Sequence, residues 1–431
     1  MIIFVIISLF CGFMMIKSKG QKRFNWCICA MLLLPQTIIL IQKPQLPAHR
    51  FFLICFWLSV LLRKEYKGKK FPLMIPFIIY CIGFYLIGYN AEALQLFSKF
   101  WKPTSAIIES YLILLLAYYG TDRITVNTKP IIYVLYLVTL YGIFTLVVRT
   151  NPYLDLVAAS QHVASLQSYC FGDRIRITST WNHPITYGFI CSLFFYAFLS
   201  YYKEKKVKIL LVLLAINILI CGSRTDLAAF ILMGAMYIPM RFKASKSIMV
   251  GSMTLIIISI TYFTVPFVQD KIDQLINTAN GTDQTGGSST EMRQDQLDAS
   301  LYIFAQAPIC GHGPDYVQEQ MIPNQDIYTM QGLDFYGFES YGYIILIERG
   351  IVGCIMEVLM MTSILIYALQ HRRKYKEESA TIISILVGFF FFSFSTGTMG
   401  TFMMTMLFIG MAMSKIRIKK VCLEKKKICT C

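Results

Sequence analysis

Seven arginines lie outside the most basic segments of this 431-residue chain: Arg50, Arg149, Arg174, Arg176, Arg224, Arg293 and Arg349. A guanidinium stays charged at any relevant pH and grips phosphoryl oxygens with two parallel N–H donors. Several of them brought to one place would therefore hold a pyrophosphate. Arg174 and Arg176 alternate with Ile175 and Ile177, so an extended backbone puts both guanidinium groups on one face. Arg224 sits in the turn Gly-Ser-Arg-Thr-Asp between two apolar runs, with Asp226 as a local partner and helix cap. An ionisable group at such depth in an apolar chain is a functional hypothesis by default. Arg293 is one of two bases, with Lys271, in a stretch of eleven acids over residues 267–342. Arg50 and Arg149 stand at the ends of apolar runs, where replacement is expected to cost little.

The elements that must position these arginines are membrane helices. The chain is 56% hydrophobic, only 15% charged, and has a mean hydropathy of +0.57. The apolar runs are long enough to span a bilayer. They predict an all-α polytopic integral membrane protein, one domain over 1–431, with about 13 (12–14) transmembrane helices. The segments 17–23, 63–70, 121–129, 202–208, 241–246, 371–376 and 415–427 hold 29 of the 40 Lys and Arg residues. This asymmetry assigns them, and a basic tail over 415–431, to the cytoplasm. The net charge of +16 is thus a topology signal, and its spread over seven segments excludes a nucleic-acid surface. The first run has its bases after it and no cleavage site, so it is expected to be an uncleaved helix with its N-terminus outside.

Two long segments, 149–184 and 267–342, then face away from the cytoplasm. The larger contains an amphipathic helix: Ser288 and Glu291 have capping-box spacing, Leu297, Leu301 and Phe304 form an apolar stripe with Arg293 on it, and Pro308 and Gly311 end it. Among the thirteen cysteines, Cys27-x-Cys29 and Cys429-x-Cys431 are too close for zinc spacings, so no metal and no cofactor are expected. Cys170 and Cys310, one in each outer segment, are a possible disulfide. No phosphate-binding loop, dinucleotide fingerprint, His-Glu-x-x-His or outer Asp-x-Asp is present, which disfavours a nucleotide-sugar donor and leaves a lipid-linked one.

Four segments in order carry a family resemblance. Arg176-Ile-Thr-Ser-Thr-Trp-Asn-His-Pro-Ile-Thr-Tyr-Gly188, Ser223-Arg224-Thr225, Arg293 followed by a helix and Pro308-Ile-Cys-Gly-His-Gly313, and Glu339-Ser-Tyr-Gly-Tyr-Ile-Ile-Leu-Ile-Glu-Arg-Gly-Ile-Val-Gly353 resemble the O-antigen polymerase/O-antigen ligase superfamily. The match runs from about residue 170 to 370. The family's ligases carry a His-Asn pair just before the re-entry helix. Phe338-Glu339-Ser340-Tyr341 stands there instead, which shifts the resemblance toward Wzy-type capsular and O-antigen repeat-unit polymerases.

The resemblance implies transfer of a glycan from an undecaprenyl-pyrophosphate-linked oligosaccharide onto a sugar hydroxyl of a second lipid-linked unit. It implies a site on the outer face of the bacterial cytoplasmic membrane. Arg176, Arg224 and Arg293 are the candidate catalytic cations, with Arg174 of second rank. Glu339, His312 or Asp315 would position or deprotonate the acceptor. Asn182 and His183 complete the conserved-looking run, and Tyr336 and Tyr341 offer ring faces for sugars. Membrane lipid, a chain-length regulator and a flippase are the expected partners. A ligase acting on another acceptor, or a transporter of the same lipid-linked units, are the competing readings; the large acidic loop and the ordered arginines favour the enzyme.

Overall fold

Long apolar runs in a solvent without hydrogen-bonding partners must satisfy their own backbone, and the helix does this within one segment. The computed structural model of the chain describes residues 2–34, 38–41, 46–92, 94–120, 125–157, 167, 169–172, 175–181, 183–243, 245, 247–249, 251–252, 269, 273, 290–324, 326, 338–398 and 400–428. Arg174, Asn182, Tyr336 and Ser288 lie outside the described residues, as do residues 274–289 and 327–337 of the acidic stretch.

The described chain is helical apart from one two-stranded antiparallel ribbon, β1 (Ile39–Ile41) with β2 (Leu46–Pro47). The helices are α1 (Ile2–Lys17), α2 (Gln21–Leu33), α3 (Ala48–Leu62), α4 (Met74–Asn90), α5 (Leu96–Glu109), α6 (Leu112–Tyr119), α7 (Lys129–Val148) and α8 (Pro152–Val157). They continue as α9 (Pro184–Phe198), α10 (Lys205–Ile220), α11 (Arg224–Arg241), α12 (Thr290–Gln306), α13 (Tyr341–His371), α14 (Lys376–Thr396) and α15 (Thr401–Ile428). Five of these are long and apolar enough to cross a membrane: α7, α9 extended to Tyr201, α13, α14 and α15. The pair α5 and α6, bent by 48°, makes a sixth if counted as one span. α1, α3 and α4 are shorter apolar helices. The expected count of thirteen is not reached among the described residues. The run 24–42 is one reason: its helix stops at Leu33 and the chain turns into the ribbon. α15 continues through the basic tail to Ile428.

The basic segments meet at one end of the bundle, joined by a continuous series of polar contacts. Arg63 donates to the Lys17 carbonyl at 2.7 Å, and Arg23 pairs with Glu65 at 2.5 Å and donates to the Gly120 carbonyl at 2.7 Å. Gln21 accepts from the Thr125 amide, and Asn127 donates to Glu204. Lys415 donates to the Tyr201 hydroxyl at 3.0 Å, Lys419 pairs with Glu378 at 2.6 Å, and Arg241 pairs with Glu377 at 3.0 Å. Arg241 closes α11 where Glu377 opens α14, so these two helices run antiparallel. Their starts and ends at the far side of the bundle form the end where the functional candidates gather.

That separation gives a direct test of sidedness. In a background lacking the other cysteines, Gln320→Cys is expected to react with a membrane-impermeant thiol reagent added outside the cell. Lys205→Cys and Arg373→Cys are expected to react only after permeabilisation. The opposite pattern would reverse the orientation and move the site to the cytoplasm.

Candidate active site

Arg176 reaches the site on a stretch of non-helical backbone. After α8 the chain runs through residues 175–181 without regular structure, and Ile177, Thr178, Ser179 and Thr180 are all buried. Ser179 donates to the Val138 carbonyl at 2.6 Å, and Thr180 to the Leu32 carbonyl at 2.7 Å. Val138 lies ten residues before the end of α7, roughly 15 Å below it at 1.5 Å per residue. Such backbone is tolerated at depth only where protein partners satisfy it. Asn151 supplies two of these contacts, donating to the Thr178 hydroxyl and the Ser179 carbonyl, each at 2.7 Å. Ile177 points inward, and its neighbour Arg176 turns to Tyr169, donating to the phenol oxygen with its guanidinium 4.7 Å from the ring centre. The other member of the expected pair, Arg174, lies outside the described residues.

His183 ends this segment. Its Nδ1 accepts from the Ile185 amide at 3.3 Å and caps α9, and its ring lies 5.5 Å from that of Tyr169. Burial, with the Arg176 charge beside it, pushes the imidazole down to about 4, so it is neutral at pH 7. α11 and α13 open at the same end. Ser223 caps the first by accepting from the Asp226 amide at 3.3 Å, and Ser340 caps the second by accepting from the Gly342 amide at 3.2 Å. Three helix N-termini, each with the positive end of its dipole, thus point toward one region. The Asp226 carboxylate itself turns inward, accepting from the Cys221 thiol at 3.5 Å.

Glu339 lies at the same end of the bundle as the three arginine-bearing segments. Its amide donates to the buried Gln296 side chain at 3.2 Å, and Arg293 lies one turn earlier on α12. Burial raises the Tyr169 phenol above its ordinary value, the Arg176 charge opposes the shift, and the Glu339 charge adds to it. The Glu339 carbonyl lies 3.0 Å from where a Cβ on Gly397 would stand, at the end of α14. α11 and α14 touch midway, where a Cβ on Gly388 would meet Met233 at 2.3 Å. Nine residues along each antiparallel helix from that contact bring Arg224 level with Gly397, and so with Glu339.

α12 buries a different face from the one expected. Gln296, Ala299, Ser300 and Ile303 are inside, whereas Leu301 is 46% exposed. The small residues allow the close approach to α13, and the larger apolar side chains are left on the outer flank. Arg293 is exposed, three residues before Gln296 and so at the edge of the buried face rather than on a Leu stripe.

α13 is broken at Gly350, whose φ of 57° is left-handed. Residues 308–313 fill the break. The amides of Ile351 and Val352 donate to the carbonyls of Pro308 and Ile309 at 2.9 and 3.0 Å. On the other side, the amides of His312 and Gly313 donate to the carbonyls of Ile347 and Glu348, both at 2.9 Å. A Cβ on Gly311 would lie 2.4 Å from the Arg349 amide nitrogen, and one on Gly350 would lie 2.6 Å from the Ile309 carbonyl oxygen. The Pro-x-x-Gly-x-Gly sequence is thus the piece of backbone that repairs a cut helix.

This geometry assigns several expected site residues to structural contacts. The His312 ring donates from Nε2 to the Ile303 carbonyl at 3.0 Å and stacks 4.4 Å from Tyr316. Asp315 stands 3.8 Å from Lys102, which also pairs with Glu319 at 2.6 Å. Tyr341 is buried, with its hydroxyl accepting from Arg349 at 2.9 Å, so no ring face is open to a sugar. Cys170 and Cys310 are both free thiols; Cys310 packs against the core beside the break. Arg50 is not dispensable by position, since it pairs with Glu109 at 2.6 Å with His49 alongside at 3.5 Å.

Sequence reasoning named Arg349 but missed the buried acids Glu348 and Glu357 beside it at the break. Arg349 is 3.6 Å from Glu357 and lies over the Phe84 ring at 4.6 Å. Glu357 accepts from the Tyr111 hydroxyl at 2.6 Å, and Glu348 accepts from the Val317 amide at 3.3 Å. Ionisable residues inside an apolar run were the available signal.

The class of protein is thus a polytopic helical membrane protein with an arginine-bearing end opposite its basic end. Residues 209–358 match the family model described as O-antigen ligase, and this part of the chain is a domain of that ligase/polymerase family. The match includes Arg224, Arg293, the repaired break and Glu339. Members of the family are glycosyltransferases, polymerases or ligases, that act on lipid-linked glycans in surface polysaccharide synthesis. No curated protein matches the chain.

Two outcomes follow from this geometry. Gly350→Ala places a side chain in a left-handed backbone and against the Ile309 carbonyl, at a cost of at least about 1–2 kcal/mol from the backbone alone. Its melting temperature in detergent is expected to fall by several degrees, and an unchanged value would contradict the repaired break. His183 is held below its ordinary value of 6.5, so its contribution to stability is complete above pH 6.5 and is lost as pH falls toward 4. His183→Asn keeps a capping side chain but cannot titrate. The melting curves of the two proteins should run parallel above pH 6.5 and diverge below it, the wild type losing more.

Proposed function

We propose that this chain is a polymerase that joins undecaprenyl-pyrophosphate-linked oligosaccharide repeat units on the outer side of the bacterial cytoplasmic membrane. What supports the reading is that the segments bearing Arg176, Arg224 and Arg293 lie at the end opposite the basic segments, with Glu339 bonded to Gln296 on the helix of Arg293. The acceptor hydroxyl attacks the anomeric carbon of the donor glycan. The new glycosidic C–O bond forms as the bond to the pyrophosphate breaks, and the pyrophosphate leaves on its lipid. The hydroxyl proton passes to the Glu339 carboxylate. The guanidinium groups and the N-termini of α9, α11 and α13 stabilise the charge that develops on the leaving group, an effect worth several kcal/mol when the donors are preorganised. Arg174 and Asn182 belong to the same run as Arg176 and are assigned to the donor, and Tyr336 to the sugar. A chain-length regulator and a flippase are its expected partners.

The family model's description as a ligase favours a second reading, transfer of finished glycan to another acceptor. The absence of a His-Asn pair at Phe338-Glu339 supports the polymerase. Deletion of the gene separates the two: loss of the chain-length ladder on the lipid carrier marks a polymerase, and accumulation of long polymer there marks a ligase.

The charge assignment is tested by replacing the fork and keeping the charge. Arg293→Lys, Arg224→Lys and Arg176→Lys are each expected to lower polymer formed per unit of folded protein by roughly 10²-fold. Arg149→Lys, on an exposed helix end, serves as the control. Near-normal ladders from the Arg293 variant would remove it from the anion clamp. Because arginines supply the positive charge in this scheme, turnover of purified lipid-linked substrate is expected to survive EDTA. A loss restored by a divalent cation would instead make the site metal-dependent.

A further inference from the structure

The basic end contains a groove of about 1030 Å³ between residues 68–72, the start of α4, the end of α13 and α15. Its volume lies at the upper end of ordinary small-molecule sites. Its polar part presents Lys69, Lys70, Arg417 and Lys420, with His371 beside them, and no Asp or Glu is among the residues that line it. Lys69 donates to the Tyr119 carbonyl at 3.1 Å, and the Arg417 guanidinium lies 4.9 Å over the Tyr118 ring. Two of the four cations are thus held in place by the wall. Lys70 and Lys420 are exposed at the mouth.

The other part of the lining is apolar. Leu73, which precedes α4, Pro76 of α4, Ile366 of α13 and Ile416 of α15 line it, and Ile366 is 53% exposed, on a helix long and apolar enough to cross a membrane. Tyr118 and Tyr367 also line the groove. Cations, aromatic rings and an apolar wall in one groove match a phosphate-bearing headgroup and its acyl chain. Elsewhere at this end the acids have partners: Glu65 takes Arg23, Glu378 takes Lys419 and Glu377 takes Arg241. In this groove positive charge is collected without an acid in the lining.

We propose that this groove binds one anionic phospholipid, its phosphate at Lys70, Arg417 and Lys420 and its proximal acyl chain along Leu73, Pro76 and Ile366. The lipid would tie α15 to the end of α13 and to the 68–72 turn. The site lies at the opposite end of the bundle from Glu339, so its test does not depend on the proposed reaction.

The measurement is native mass spectrometry of the detergent-purified full chain, titrated with phosphatidylglycerol and, separately, with phosphatidylcholine of the same acyl chains. The wild type is expected to retain one phosphatidylglycerol in preference to phosphatidylcholine, and its melting temperature is expected to rise with that lipid alone. Lys70→Gln/Lys420→Gln removes two exposed charges and leaves the wall contacts intact. It is expected to weaken phosphatidylglycerol binding by roughly 25-fold, about 5-fold per residue. Lys205→Gln/Lys208→Gln, at the same end but outside the groove, is expected to change nothing. Equal retention of both lipids, or equal losses from the two double variants, would overturn the site in favour of general surface attraction. Displacement of the lipid by millimolar inorganic phosphate would show that the groove takes a free phosphate and not a lipid.

Discussion

A backbone amide or carbonyl left unpaired inside a membrane costs several kcal/mol, and α13 is cut in two where Gly350 turns left-handed. The cut is permitted because residues 308–313 supply two acceptors and two donors to the exposed ends. Much else follows from this exchange. It anchors the end of α12 against α13, which places Gln296 where it can hold Glu339, and it brings Arg293 to the same end. It also explains why this segment requires glycine at 311 and 350, since both backbones approach at distances a Cβ would occupy. Arg349 beside the cut is accommodated by Glu357, Tyr341 and Phe84, because a buried guanidinium is tolerable only when paired and packed.

The second organising feature is separation of charge between the two ends. At one end seven basic segments are stitched together by contacts to carbonyls, phenols and a few acids. At the other, single arginines stand on separate segments among the N-termini of α9, α11 and α13. The first arrangement suits a surface facing anionic lipid. The second is the arrangement on which the proposed function rests. Re-entrant backbone at 175–181 serves that end as well, since it lowers Arg176 to the level where α9 begins.

Much of the helical architecture and of the site was legible as pattern. The basic segments, the Ser223 cap, the alternation of Arg176 with Ile177 and the end of α12 near Pro308 all depend on neighbours in sequence. The expected thirteen spans were less secure, because hydropathy records apolar length but not whether a run bends at Ser110, stops at Leu33 or is cut at Gly350. The buried face of α12 was misread for a related reason. Leu297, Leu301 and Phe304 have the larger apolar surface, but the neighbouring helix selects the face with Ala299 and Ser300 because small side chains permit close packing.

The sequence alone determined what depends on composition and short-range order: a chain rich in membrane helices, its basic segments, its helix caps and the kinds of residue available for binding an anion. Tertiary structure alone decided which of those residues meet. It brought His312 to the Ile303 carbonyl, Asp315 to Lys102, Tyr341 to Arg349 and Glu339 to Gln296, and left Cys170 and Cys310 as thiols. The physical reason is that a side chain's role depends on its partners' positions, and those partners are 43 residues away for Gln296 and Glu339. Only packing of whole helices against one another brings such pairs together, and no local pattern encodes it.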